Sequence, residues 1–161
     1  MCAHRSIALA VLLAAVAPST ARADEQLAVA AGIAEDISVP AAAHEGMYSY
    51  AAVAVVLPAG RVAVVPSVGV EYAADTGHWG FIGTVVVDTP ITRTVGFDVI
   101  VSGGHDQPGA QWNEAAFAAG GGIGLSITTA PAVISPSLCV FADVHSGELS
   151  VTPGVSVARV F

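Results

Sequence analysis

More than half of this chain is apolar, 54% of its 161 residues, yet nowhere does it string together enough apolar residues to span a membrane as a helix. A spanning helix needs about 20 consecutive apolar residues. The longest run, Ile7 to Ala17, is too short and lies at the N-terminus. A mean hydropathy of +0.71 nevertheless suits a chain that meets lipid. Lipid offers no partner for backbone N–H and C=O groups, so the other spanning structure is a closed barrel. Its strands need only about 9–11 residues each and alternate between an apolar and a polar face.

The chain carries that alternation. Eight segments bounded by turn residues show a period of two: Gln26–Glu35, Tyr48–Leu57, Arg61–Ala73, Trp79–Asp88, Thr94–Gly103, Asn113–Thr128, Ala132–Asp143 and Glu148–Phe161. In the third, Val62, Val64, Pro66, Val68, Val70 and Tyr72 share one face, and Ala63, Val65, Ser67, Gly69 and Glu71 share the other. Trp79, Phe81, Val85 and Val87 continue the apolar face, followed by Val95, Phe97, Val99 and Val101 and then Phe117, Ile123, Leu125 and Ile127. The small residues of the sixth segment, Gly120, Gly122 and Gly124 among them, suit the tight interior of an eight-stranded barrel. Tyr48, Tyr72, Trp79 and Trp112 fall at strand ends and are expected to form an aromatic girdle. Against the barrel stand Pro66, Pro136 and Pro153, each of which forfeits a ladder hydrogen bond inside a strand. The second segment also alternates weakly.

The connections alternate too. Pro58-Ala59-Gly60, Thr89–Arg93 and Thr129-Ala130-Pro131 are short and carry proline. Asp36–Met47, Ala74–His78, Gly104–Trp112 and Val144–Gly147 carry glycine, histidine and acids, and are expected at the opposite, outer end.

Residues 1–23 read as a secretory signal: His4 and Arg5 precede the apolar stretch, and Ala21-Arg22-Ala23 forms an A-x-A cleavage site. Residues 24–161 then form the barrel. Cleavage would leave Arg61, Arg93 and Arg159 against thirteen acidic residues, a formal charge near −10, with no lysine. So acidic a surface excludes a nucleic-acid partner. It would also leave Cys139 as the single cysteine, so no intramolecular disulfide can form.

Two stretches resemble small bacterial outer-membrane barrels of the outer-membrane protein A, X and W type. Val65-Pro66-Ser67-Val68-Gly69-Val70-Glu71-Tyr72 resembles a proline-then-glycine strand of such proteins. The end of the chain, Thr152 to Phe161, is similar to their C-terminal strand signal, which Gly154, Val155, Val157 and Phe161 match while Arg159 departs from it. The resemblance implies recognition by the barrel-assembly machinery, outer-membrane lipid as the surrounding medium, and an outer-membrane location after export.

Four patterns suggest chemistry. His44, His78, His105 and His145 each lie near an acid on an outer connection and would suit a metal site if the connections converge. Glu71, Asp98, Glu114 and Asp143 are expected to point into the lumen, where charge must be hydrated or paired. His145-Ser146-Gly147-Glu148 contains the residue types of a hydrolase. Adjacent strand residues point to opposite faces, and the spacing departs from that of the lipid A deacylase barrels. Gly120–Gly124 continues a strand, with no helix after it to make a phosphate loop. The chain therefore reads as all-β: an eight-stranded antiparallel up-and-down transmembrane β-barrel after a cleaved signal peptide. It is expected to be non-catalytic and cofactor-free, with a structural or surface-interaction role. The alternatives are a lipid A-modifying barrel enzyme, a narrow cation pore and a soluble periplasmic ligand-binding barrel.

Overall fold

A computed structural model describes residues 26–39, 44–73, 77, 79–107, 116–144 and 147–161. Eight strands run in chain order: β1 (Gln26–Val39), β2 (His44–Ala59), β3 (Val62–Ala73), β4 (Trp79–Pro90), β5 (Val95–Gln107), β6 (Ala116–Thr129), β7 (Ala132–Asp143) and β8 (Leu149–Val160). Each is antiparallel to its neighbours, and β8 pairs with β1 to close the barrel. The Phe161 N–H donates to Leu27 O at 2.8 Å, extending the closure to the last residue.

The expected segments become strands, but two of the connections at the loop end are shorter than the sequence suggests. Asp36–Val39 and His44–Met47 prolong β1 and β2, and Gly104–Gln107 prolongs β5. Polar residues can extend a ladder beyond its apolar stretch because backbone pairing does not depend on side-chain polarity. His44 and His105 therefore belong to strand ends rather than loops.

At one end the connections are tight. Gly60, at φ 69°, and Arg61 join β2 to β3, and Ala130-Pro131 joins β6 to β7. Between β4 and β5, Thr92 Oγ1 accepts from the Thr94 and Val95 N–H groups at 3.2 and 3.0 Å, while the Ile91 and Thr92 N–H groups donate to Val95 O. The hydroxyl fixes this four-residue turn by satisfying amides that the ladder cannot reach.

The three strand prolines sit where one ladder lapses. Between β2 and β3, pairing skips from Ala54↔Ser67 to Leu57↔Val64, passing Pro66. Between β6 and β7 it skips from Gly124↔Ser137 to Ile127↔Ile134, passing Pro136. Between β1 and β8 it skips from Ala34↔Gly154 to Ile37↔Val151, passing Pro153. On their other sides the same prolines stand opposite Val85, Val155 and Leu138. A strand residue directs its N–H to one neighbour only, so each proline breaks one ladder and leaves the other.

The polarity is the reverse of a soluble barrel's. Val68 is 70% exposed, Val101 62% and Phe81 58%. Ile33, Val53, Val85, Phe97, Val99, Ile123, Leu125, Leu138 and Val157 join them on the outside. The inner face carries Ser67, Thr84, Asp98, Ser102, Ser126, Ser135, Ser137, Thr152 and Ser156 among alanines and a few larger apolar side chains. The expected phases of β3, β4, β5 and β6 hold. The girdle expectation is corrected at Tyr48, which lines the lumen together with Tyr50 because Met47, Val53 and Val55 take the outer face of β2. Tyr72 and Trp79 face each other in the β3–β4 register with ring centroids 4.8 Å apart. Trp112 lies outside the described residues.

Candidate functional site: the acidic lumen

Inside the barrel is a cavity of about 630 Å³. Eight strands leave an interior about wide enough for side chains to fill. This one is incompletely filled because many inward positions hold alanine, serine or glycine: Ala28, Ala30, Ala52, Ala54, Ala118, Ser135, Ser137 and Gly154 all line it.

On the inner wall two side-chain bridges each cross one intervening strand over a glycine. Tyr50 on β2, Gly32 on β1 and Ser156 on β8 stand in one row. The Tyr50 and Ser156 side chains are hydrogen-bonded. A Cβ on Gly32 would lie 2.6 Å from the tyrosine ring, so only a residue without a side chain lets the ring cross. On the other side of the barrel, the Ser126 hydroxyl of β6 donates to Asp88 Oδ1 of β4 at 3.1 Å. The bond crosses Gly96 of β5, where a Cβ would collide with both Asp88 Oδ1 and Ser126 Oγ.

Asp88 stands directly opposite Asp98 in the β4–β5 register, and both side chains enter the lumen. The two carboxyl groups are close enough to hydrogen-bond each other. Asp98 is 4% exposed, and its Oδ1 has no hydrogen-bond partner. Further along the same two strands, the Thr84 and Ser102 hydroxyls are 2.9 Å apart and Ser102 Oγ donates to Gly83 O at 3.2 Å. Towards the loop end the cavity is lined by Asp36, Glu71, Asp143 and Glu148. Thr152 Oγ1 donates to Asp36 Oδ1 across the β1–β8 interface.

Of the expected lumen acids, Glu71, Asp98 and Asp143 thus line the cavity, and Glu114 lies outside the described residues. Asp36, Asp88 and Glu148 line it as well, beyond those expected. The alternation of β4 is the signal that finds Asp88, which shares the phase of Ile82, Thr84 and Val86. Asp36, expected in a loop, is instead a strand residue, a correction that follows from the longer β1.

The metal expectation rests on histidines whose side chains are all outside the described set: His78 and His145 entirely, His44 and His105 as side chains. Ser146 is outside it as well. Among the described residues, no group of three or more His, Cys, Asp or Glu is arranged to hold a metal ion. Cys139 is free, buried and inward-facing, as expected of a small interior residue.

In the expected C-terminal signal, Val155 and Val157 face outward and Gly154 lines the lumen. The Arg159 guanidinium, also on the outside, lies 5.1 Å from the centre of the Phe161 ring. Its hydrocarbon stem can run along the apolar surface while the charge remains near the barrel end.

No protein-family model matches the sequence, and no curated protein matches it. The fold does have solved counterparts among outer-membrane barrels. Neisserial surface protein A superposes with a TM-score of 0.55 at 10% identity, over 86% of this chain and 98% of that one. The N-terminal β-barrel domain of Pseudomonas aeruginosa OprF gives 0.54 at 14% identity, over 83% and 98%. The Yersinia pestis attachment invasion locus protein Ail, solved with the heparin analogue sucrose octasulfate, gives 0.54 at 12% identity, over 86% and 99%. What these proteins share with the present chain is the eight-stranded up-and-down barrel.

Proposed function

We infer that the chain is a non-catalytic integral outer-membrane protein whose barrel serves as a membrane-embedded support for surface-exposed connections. The observation that carries this reading is the reversed polarity. Exposed valine, isoleucine, leucine and phenylalanine cover the outside while hydroxyls and carboxyls face inward. A soluble ligand-binding barrel requires the opposite arrangement, since so large an apolar exterior would cause association in water. The tight connections belong on the periplasmic side and the longer ones outside, as in other outer-membrane barrels.

Charge narrows the choice of surface partner. Arg61, Arg93 and Arg159 all belong to the tight-turn end, whereas Glu35, Asp36, Glu71, Asp143 and Glu148 belong to the loop end. The sequence adds Glu45, Asp75, Asp106 and Glu114 to the latter. A sulfated polyanion, such as the heparin analogue bound to Ail, would be repelled there. A cationic partner would be attracted.

Gel mobility of the protein extracted from outer membranes in mild detergent tests the embedding. A band that shifts on boiling, together with β-type circular dichroism, is the expected result. Recovery from the soluble fraction without detergent, with no such shift, would overturn the reading. Protease treatment of intact cells should cleave the loop connections and spare the tight turns.

A further inference from the structure

We propose that Asp88 and Asp98 form a binding site for one hard divalent cation, of the calcium class, inside the barrel near its tight-turn end. Such a site is independent of the surface role inferred above.

Asp88 and Asp98 occupy opposed positions on one face of the β4–β5 ladder, where side chains come closest and like charges destabilise each other. Two carboxylates this close need a cation or a shared proton between them.

Asp98 is also 96% buried on the cavity wall, with Oδ1 unpartnered. A buried polar atom is costly to leave unsatisfied, and an orphan in a folded chain calls for an explanation such as an ion. A proton shared with Asp88 would occupy one oxygen of each carboxyl and leave Asp98 Oδ1 as it is. A metal ion coordinated by both oxygens of Asp98 would not.

Among the described residues, none supplies a cation to this place. The chain contains no lysine. Arg61 and Arg93 are exposed in turns, and Arg159 is exposed on the outside beside Phe161. Among the described residues, no arginine or histidine lines the cavity.

The donor set selects the ion. The surrounding ligands are carboxylate and hydroxyl oxygens, with Ser126 already bonded to Asp88 Oδ1 and holding that carboxylate in place. Oxygen-only sites suit calcium and magnesium rather than zinc or copper. Calcium accepts six to eight oxygens in irregular geometry at about 2.3–2.6 Å. Two carboxylates with water from the cavity can meet that demand, which the stricter magnesium octahedron meets less readily. An ion entering from the loop end would pass Asp143, Glu148 and Glu71 on the same cavity wall.

The experiment is calcium titration calorimetry on the full chain refolded in detergent micelles, with heat-modifiable mobility as the folding check. Wild type should bind one equivalent of Ca²⁺, more tightly than Mg²⁺. Asp98→Asn and Asp88→Asn should each weaken binding by about tenfold or more, since affinity follows the number of charged ligands. Glu35→Gln, on the outer face, should leave it within about twofold on the same grounds. Absence of saturable Ca²⁺ binding to folded wild type would overturn the proposal in favour of a shared proton. Unchanged binding in both lumen variants would overturn it in favour of the loop-end acids. If neither variant folds, the wild-type melting temperature decides: it should rise with Ca²⁺ but not with Na⁺ at matched ionic strength, and equal values would count against the site.

Discussion

The two glycine-crossed bridges share a geometry and differ in chemistry. In both, a side chain reaches over a glycine on the next strand to a serine two strands away. Tyr50 and Ser156 are neutral, and each hydroxyl can donate or accept as its neighbour requires, so the bridge is complete in itself. It also joins β2 to β8 across the closure of the barrel. Asp88 and Ser126 make a bridge with a carboxyl at one end, and Asp98 beside it is left with an unsatisfied oxygen. The same backbone device therefore serves shape in one place and leaves chemistry open in the other.

Substitutions ordered by expected effect would break or sharpen this contrast. Gly32→Ala should be the most severe. The added carbon meets a tyrosine ring 2.6 Å away, and expelling that ring costs packing and a hydrogen bond, about 2–4 kcal/mol in urea unfolding from lipid vesicles. Gly96→Ala should cost less, about 1–2 kcal/mol, because the displaced atoms end short side chains that can rotate away. It should also impair Ca²⁺ binding, which Gly32→Ala should leave alone wherever the protein folds. Next come the serines: Ser156→Ala and Ser126→Ala are each expected to lower stability by about 1 kcal/mol, the usual net value of one hydrogen bond. In calcium-free buffer, Asp98→Asn should raise stability by up to about 1 kcal/mol by removing a like-charge opposition. Added Ca²⁺ should then close the gap with wild type. If Gly96→Ala proved costlier than Gly32→Ala, the polar bridge would be the main structural one and the contrast would be reversed.

How much of the fold and of the lumen site is legible in the sequence depends on what a residue's surroundings require. Along β3 to β6, alternation between valine or phenylalanine and small or polar residues is enough to assign both faces, because lipid and lumen make opposite demands. Along β2 that signal fails. Ala51, Ala52, Val53 and Ala54 tolerate either face, and residue type alone puts Tyr48 outside, where the structure does not. The pairing partner of a residue is a different matter. That Asp88 meets Asp98, or that Tyr50 meets Gly32, follows from register, which turn geometry and the whole barrel fix together. For the same reason each proline, taken alone, argues against a strand. Only the paired neighbour shows which ladder is broken. Of the histidines expected to hold a metal, register places the backbones of His44 opposite Ile37 and of His105 opposite Phe81, while their side chains lie outside the described residues.

The lapses at Pro66, Pro136 and Pro153 also bear on the mechanics of the wall. They fall between β2 and β3, β6 and β7, and β8 and β1, so that β3 to β6 form an unbroken four-strand panel and the rest of the circumference divides into two narrower staves, β1–β2 and β7–β8. Such a cylinder is compliant at three lines and stiff between them. Under lateral pressure from the bilayer it should flatten by folding at those lines, leaving the panel that carries Asp88, Asp98 and Ser126 undistorted while the cross-section around it changes shape.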